Sequence, residues 1–490
     1  MDGPERVRSI VIAGGGVTGW MAAVALARFT PTTRVTVVDC PVDDVAAQST
    51  LPAYKDFHAL IGMDEHAMLS RSGGTMRLGT RFVDPARAGG YLHCFGDFGL
   101  EVGGTAFYQL WLRARAAGQR VDLDDYNLAA IAATMGRFAK PAADKRPMMD
   151  YGYHLDTALY AAYLKSLALA QGVDGQAGEI GSVARHGESG MIAAVLLRDG
   201  RSIEGELFVD CTGARAVVMA ALDIGFEDWS GWFPASGEVG VATDALPDLP
   251  PLSSASIHRA GWRRRLPLQH QTWNSISFAP GQSPDDVALE ALGNGGNSEP
   301  RFTAHRRGRR KRFWAGNCVA LGAAAASIES IEAGELDIAG RGIAALLSLF
   351  PDRAAAPAEA SEFGRILTGS IETERDLTLL HHVVMEQGRP VLRVNGEGAI
   401  LPDSLSHRID LFRGRGRLQS HDSSGVAPAD WLAVLVGRGV MPESWDALAD
   451  AIDIPRAQQN FLRLAGLFRQ SAETMPGHAA YIARHCGYRP

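Results

Sequence analysis

Lysine is almost missing from this chain. Of its 48 basic residues only five are lysine (Lys55, Lys140, Lys145, Lys165, Lys311), against 43 arginines. Chemistry that needs a side-chain amine therefore has few places to happen, because a guanidinium stays protonated and is a poor nucleophile. Cysteine is also scarce. The five present (Cys40, Cys94, Cys211, Cys318, Cys486) are odd in number and form no CxxC pair. That excludes a disulfide framework and predicts reduced thiols in a cytoplasmic protein. No apolar run is long enough for a membrane span or a signal peptide; "SIVIAGGG" runs into glycine too soon. A net charge of −7 leaves no global basic field, so neither nucleic acid nor a membrane is an expected partner. No His/Cys/Asp set has metal-ligand spacing, and no metal is expected.

What is present begins with "RSIVIAGGGVTGWMAAVALARF", which reads as strand, glycine turn and helix. Gly14 permits the tight turn. Gly16 lets a pyrophosphate approach the backbone, and Gly19 lets helix and strand pack closely. The next strand, "TRVTVVDC", ends in Asp39, an acid placed to accept from ribose hydroxyls. This unit binds a dinucleotide but does not choose between FAD and NAD. Two later strands favour FAD. "GELFVDCTGAR" ends in Asp210 and Gly213, and "FWAGNCVALGAAAA" carries Gly322 after its strand, so small residues line a long cofactor. No second strand–GxGxxG–helix unit appears for a nicotinamide. "GNGGN" (residues 293–297) and "GRGR" (residues 414–417) read as loops.

The expected fold is α/β, an FAD-binding Rossmann-type domain of the glutathione-reductase or monooxygenase kind. Its core takes residues 1–115, 150–225 and 300–350. A substrate-side sheet is inserted at about 226–300, and residues 351–490 form a helical C-terminal part. The 490 residues, 46% of them hydrophobic, suffice for such a divided core. "HRRGRRKR" (residues 305–312) reads as a solvated charge run leading into a strand.

Several segments together resemble the flavin-dependent halogenase family, best known for tryptophan halogenases. They are "GGGVTGWMAA", "DYGYHLDTALYAAYL", "FVDCTG", "NCVALGAAA", "ERDLTLLHH" and "WLAVLVGRGVMPESWDALAD", and they span about residue 8 to residue 452. The resemblance implies reduced FAD delivered by a separate reductase, O2, and a small aromatic substrate. It also identifies departures. "WRRRLP" stands for the family's W-x-W-x-I-P, so Trp262 and Pro267 remain while Arg264 replaces the second tryptophan. "SGGTMRLGTRF" puts Arg77 where the family has the lysine that receives hypohalous acid. "VAAQSTLP" puts Gln48 in place of a glutamate in the loop near the flavin. "ESIEAGE" keeps Glu332 but has Ala333 and Gly334 for the Ser and Thr of the halide loop.

The candidate catalytic residues are therefore Arg77 and Glu332. Arg77 can hold an anion but cannot form a productive haloamine; Glu332 serves as general base or charge stabiliser. The cofactor set is Gly14, Gly16, Gly19, Asp39, Gln48, Asp210, Gly213 and Gly322. Trp262 and Arg264 are the candidate substrate residues. Trp273, Phe95 and Phe107 are aromatic but read as core, and His154 and Asp156 read as a helix start. The altered lysine and halide loop shift the expectation toward monooxygenase-type oxidation of an indole- or phenol-like substrate. The two rivals are a genuine halogenase and a flavin-binding protein that acts through a partner without turnover.

Overall fold

A computed structural model describes residues 6–83, 90–119, 122–141, 148–258, 261–279, 281, 286–287, 292, 298–329, 331–332, 334–351, 357–394, 397–418 and 425–489. Lys145, the "GNGGN" loop and Ala333 lie outside them. The chain opens as its glycine pattern predicts: β1 (Ser9–Ala13), α1 (Val17–Phe29) and β2 (Arg34–Asp39). β1 is apolar and flanked on both sides by parallel strands, so it carries an unbroken buried run rather than an alternating one. The six-stranded sheet runs Trp314–Ala315, Cys318–Ala320, Leu207–Asp210, β1, β2, Asp174–Ala177. All its pairings are parallel except the outermost, Trp314–Ala315 on Cys318–Ala320. The two late strands that pointed to a long cofactor thus stand beside β1.

Two of the motif glycines, Gly14 and Gly19, have a steric reason inside the protein. Gly14 has φ +118°, and a Cβ there would meet the Cys211 carbonyl oxygen at 2.3 Å. A Cβ on Gly19 would meet the Gly14 carbonyl oxygen at 1.9 Å, so the helix can pack on the turn only as glycine.

A second, seven-stranded sheet runs Arg301–Ala304, Gly237–Thr243, Thr272–Phe278, Gly261–Pro267, Leu252–His258, Gly79–Val83, Tyr91–Cys94. Its first five strands come from the segment read as an insertion, or just beyond it. The last two come from a segment assigned by sequence to the cofactor core. Pairing across 170 residues is invisible to local pattern; Leu252 to Ser256 joins Gly79 to Val83 in parallel. A small three-stranded sheet runs Ala47–Ser49, Gly152–Asp156, Thr75–Arg77. The C-terminal part is mainly helical (Pro357–Leu380, Asp403–Arg415, Pro428–Gly437, Ile454–Thr474, His478–His485), with a small sheet at residues 383–399. Gly416, φ +63°, ends one of those helices, so "GRGR" is a helix terminus rather than a free loop.

The arginine run is not solvated throughout. Arg307 and Arg310 are buried, and Arg307 donates to the carbonyls of Ala235 (3.0 Å) and Ile328 (2.7 Å). Two of its guanidinium groups are scaffolding. Among the described residues no helix is long and apolar enough to cross a membrane.

Candidate active site

A cavity of about 650 Å³ opens over the glycine turn, lined by Gly15, Gly16, Asp39, Asp44, Glu238, Trp273 and Phe302 among others. Gly16, Asp39 and the α1 N-terminus face it together, the arrangement that receives a dinucleotide pyrophosphate. Asp39 accepts from Lys165 at 2.7 Å. Asp44 accepts from the Val17 N–H at 2.8 Å, so a carboxylate stands at the helix end where a phosphate would go. Burial pushes its pKa up to about 6. The donors fit a dinucleotide provided that Asp44 gives way.

The other cofactor candidates divide. Gly213 (φ +67°) and Gly322 (φ +58°) are both left-handed, and a Cβ on Gly322 would strike Thr18 on α1. Asp210 is buried and fully spent inside its own loop. One oxygen accepts from Thr212 N–H and Oγ1, the other from the N–H groups of Val218 and Met219. It shapes the turn and leaves no acceptor for a cofactor. Gln48 caps the helix Glu335–Ser348, accepting from Leu336 N–H at 3.3 Å. Gly334 is the residue before that helix, and a Cβ there would meet Gln48 Oε1 at 2.5 Å.

Arg77 and Glu332 do come together, and they are buried as an ion pair. Arg77 ends the strand Thr75–Arg77 and is stacked on Phe95, 4.8 Å from guanidinium to ring centre. Its Nε donates to Ser253 Oγ (3.0 Å), one terminal nitrogen to the Thr50 carbonyl (2.9 Å), and the other to Thr80 Oγ1 (2.7 Å) and Glu332 Oε2. The guanidinium is thus held on three sides. Glu332 receives further bonds from Thr80 Oγ1 (3.0 Å) and faces His93 Nδ1 (2.8 Å). On the far side His93 Nε2 lies 2.9 Å from Asp430 Oδ1. Burial alone would raise the Glu332 pKa, but His93 and Arg77 hold it down to about 2. Burial opposes the charge on His93 too, yet Glu332 and Asp430 raise its pKa to about 10. His381, whose Nδ1 meets Tyr91 OH at 2.7 Å, brings Nε2 to 4.0 Å from Glu332 Oε1; burial pushes its pKa well down, leaving it neutral.

His93, Glu332 and His381 offer ligand atoms within 4.8 Å of one another, a convergence that sequence spacing did not announce. Both Glu332 oxygens already accept, from His93 and from Arg77 with Thr80. The centre has its positive charge without a metal.

The candidate substrate residues both stand on the strand Gly261–Pro267. Trp262 packs with Phe82, Ala255 and Ile331 and donates from Nε1 to His382 Nε2 at 3.2 Å. Arg264 pairs with Glu238 at 2.6 Å, and Glu238 lines the 650 Å³ cavity, so Arg264 supports the cofactor side. Trp273 lines that cavity too. A separate cavity of about 400 Å³ has Phe98, Leu100, Phe107, Tyr108, Met148, Pro428, Ala429 and Leu432 in its wall. Asp156 caps the helix Thr157–Ala170, accepting from Leu159 N–H at 3.0 Å, as read. His154 instead lies in a strand and bridges Thr75 Oγ1 and Ser253 Oγ. His93, Asp430, His381 and Asp44 went unread, because no local spacing links them.

A Rossmann-type α/β domain with a second sheet and a buried acid centre is a class of oxidoreductase architecture. Within that class the assignment is specific. The family model for tryptophan halogenase matches residues 9–454, and this chain belongs to that family. It is similar to a flavin-dependent halogenase from Xanthomonas campestris, with 33% identity, 99% of each chain covered and a TM-score of 0.93. BrvH, a flavin-dependent halogenase from Brevundimonas sp. BAL3, is 32% identical over 98% of this chain and 99% of its own, with a TM-score of 0.90. The tryptophan 6-halogenase SttH of Streptomyces toxytricini is 24% identical, covering 98% of each chain.

Proposed function

We propose that this chain is a FAD-dependent oxidoreductase that halogenates a small indole- or phenol-like substrate, using reduced FAD from a separate reductase, O2 and a halide. Bound reduced FAD supplies the electrons with which O2 is activated. Gly14, Gly16 and Gly19, with the α1 N-terminus, hold the pyrophosphate; Asp39 takes the ribose. The 400 Å³ cavity, with an aromatic and aliphatic wall and the carboxylates of Asp97 and Glu101 in its lining, is of a size that suits a single aromatic ring system.

The observation that carries the reading is the Glu332 centre. Its carboxylate is ionised and buried, and Ser49 Oγ ties its backbone carbonyl to the cofactor-side strand at 3.1 Å. His93 and Asp430 tie its side chain to the helix whose Pro428, Ala429 and Leu432 line the 400 Å³ cavity. Electrophilic substitution of an arene ends with loss of a very acidic ring proton. A carboxylate with a pKa of about 2 is basic enough to take it.

A second reading, oxygen transfer to the arene, is favoured by one observation: Arg77 spends its donors on Ser253, Thr50, Thr80 and Glu332 and has no amine to carry a halogen. The test is product mass spectrometry with supplied reduced FAD, O2 and bromide or chloride over an indole and phenol panel. A halogen isotope pattern supports the first reading, a gain of one oxygen the second. Flavin oxidation with no product from any member of the panel refutes both.

A further inference from the structure

We infer that Asp430 is a positioning residue for Glu332: it holds His93 as a doubly protonated imidazolium, which gives the Glu332 carboxylate a second buried cation beside Arg77. The inference rests on the reading of Glu332 as proton acceptor.

The hydrogen-bond count carries it. His93 is buried on the strand Tyr91–Cys94 with both ring nitrogens on carboxylate oxygens, Nδ1 on Glu332 Oε1 at 2.8 Å and Nε2 on Asp430 Oδ1 at 2.9 Å. A neutral imidazole has one donor and one lone pair. It would set that lone pair against one of the two carboxylates, unless the facing oxygen were protonated. Hydrogen bonds to the other oxygens favour the ionised carboxylates over that arrangement. Glu332 Oε2 accepts from Arg77 and Thr80, and Asp430 Oδ2 accepts from the Ala427 N–H at 2.6 Å. Asp430 also sits in the first turn of the helix Pro428–Gly437, where a carboxylate complements the helix dipole. By their ordinary values a carboxyl group is the stronger acid of the two and an imidazole the stronger base, so the proton goes to the ring that two carboxylates flank. Both nitrogens of His93 therefore donate.

The charges close. Arg77 and His93 are positive, Glu332 and Asp430 negative, and all four are buried. The remaining groups turned toward the centre do not replace either cation. His381 is neutral and makes no bond to Glu332, Tyr91 OH is engaged with His381 Nδ1, and Arg438 acts on His381 from the C-terminal end of the same helix. The shift of His93 to about 10 agrees with the count. Asp430 touches neither the cofactor-side cavity nor Glu332; it works through His93.

The decisive measurement is made on the native full chain. Ring nitrogens are labelled with 15N and the His93 signals, assigned by their loss in His93→Gln, are followed from pH 6 to 9. The expected result is two protonated nitrogens throughout. One unprotonated ring nitrogen at pH 7.5 overturns the inference. In Asp430→Asn burial still opposes the charge and only Glu332 is left to favour it, so the two-proton signature is expected to titrate away between pH 6 and 9. An imidazolium that persists in Asp430→Asn overturns the role of Asp430. Asp430→Glu, which keeps the charge, should restore the two-proton signature; failure to do so in a folded variant also counts against it. Turnover gives a separate readout. Native turnover should change less than twofold between pH 6.5 and 8.5, whereas Asp430→Asn should lose about tenfold or more in kcat over that range. An intact two-proton signature in a native enzyme that turns over no arene supports the protonation assignment and defeats the proposed function.

Discussion

Replacing Arg77 by lysine should restore a reactive amine and weaken the protein at the same time. The guanidinium reaches three directions at once: Ser253 Oγ, the Thr50 carbonyl, and the pair Thr80 Oγ1 and Glu332. An ammonium concentrates its donors on one atom and cannot span them. It keeps Glu332, the charged partner, and gives up two bonds to buried acceptors. At about 1–2 kcal/mol each, the loss is roughly 2–4 kcal/mol. Arg77→Met should cost more, about 3–5 kcal/mol, because it leaves the buried Glu332 with His93 as its only full cation. For a chain of this length a loss of 1 kcal/mol lowers Tm by about 1 °C, so Arg77→Lys should melt about 2–4 °C below native, with Arg77→Met lower again. Thermal and urea unfolding of the three proteins at pH 7.5 checks the order. The same samples go into the halide and arene assay, where Arg77→Lys should raise the halogenated fraction per folded enzyme. Arg77→Lys as stable as native would refute the claim that the guanidinium is a three-way clamp. Equal halogenation per folded molecule by native and Arg77→Lys would refute the claim that an amine at this position matters.

Three further outcomes are expected. Gly16→Val should lower FAD affinity by at least tenfold, since a side chain there projects into the cavity against Asp44; fluorescence titration of the folded variant checks it, and unchanged affinity removes the assignment. Asp44→Ala should tighten FAD binding several-fold by clearing a carboxylate from the α1 N-terminus, while the cofactor-free protein loses about 1 kcal/mol with its helix cap; weaker binding in a folded variant shows that Asp44 helps rather than blocks. The pH dependence of stability follows from the Glu332 centre. His93 has a folded pKa raised to about 10, so its contribution is full below about 6.5 and is lost as pH rises through 10. Glu332 has a folded pKa lowered to about 2, so its contribution is full above about 4.5 and fades as pH falls toward 2. His93→Gln should flatten the alkaline limb of a urea-midpoint profile between pH 7 and 10; an unchanged slope would mean that His93 carries no extra proton.

The cofactor unit was legible because its constraints are local. A strand, a turn that only glycine can make and a helix lie within thirty residues, and Gly19 answers to a contact inside that span, with Gly14. Arg77 and Glu332 were legible only through family resemblance, which gave their positions but not their contact. What the sequence withheld is pairing at long range. The Glu332 centre draws on a strand at 75–77, another at 91–94, a loop before the helix at 335 and the first turn of the helix at 428. No periodicity records that the fold sets these ends together.

The same long range hides the partner of Arg264. Arg264 replaces a tryptophan next to Trp262 and invites a reading as substrate contact. In the antiparallel register Arg264 faces Ser275 on one side and Ala255 on the other, while its side chain crosses to Glu238 on a strand two places away. A lone buried arginine is costly, and Glu238 meets that cost with an ion pair of low exposure at 2.6 Å. Arg264 and Glu238 should therefore behave as a unit. Arg264→Trp by itself would strand Glu238 in the cofactor-side cavity and destabilise by about 3 kcal/mol or more, whereas the double change with Glu238→Gln should recover most of the loss. The readouts are unfolding free energy and FAD affinity for the single and double variants. If the two single losses add in the double variant, the pair is not coupled and Arg264 has a different role. If they cancel while product distribution stays fixed, the arginine run belongs to the cofactor side, and the family motif has been altered where it meets the flavin rather than where it meets the arene.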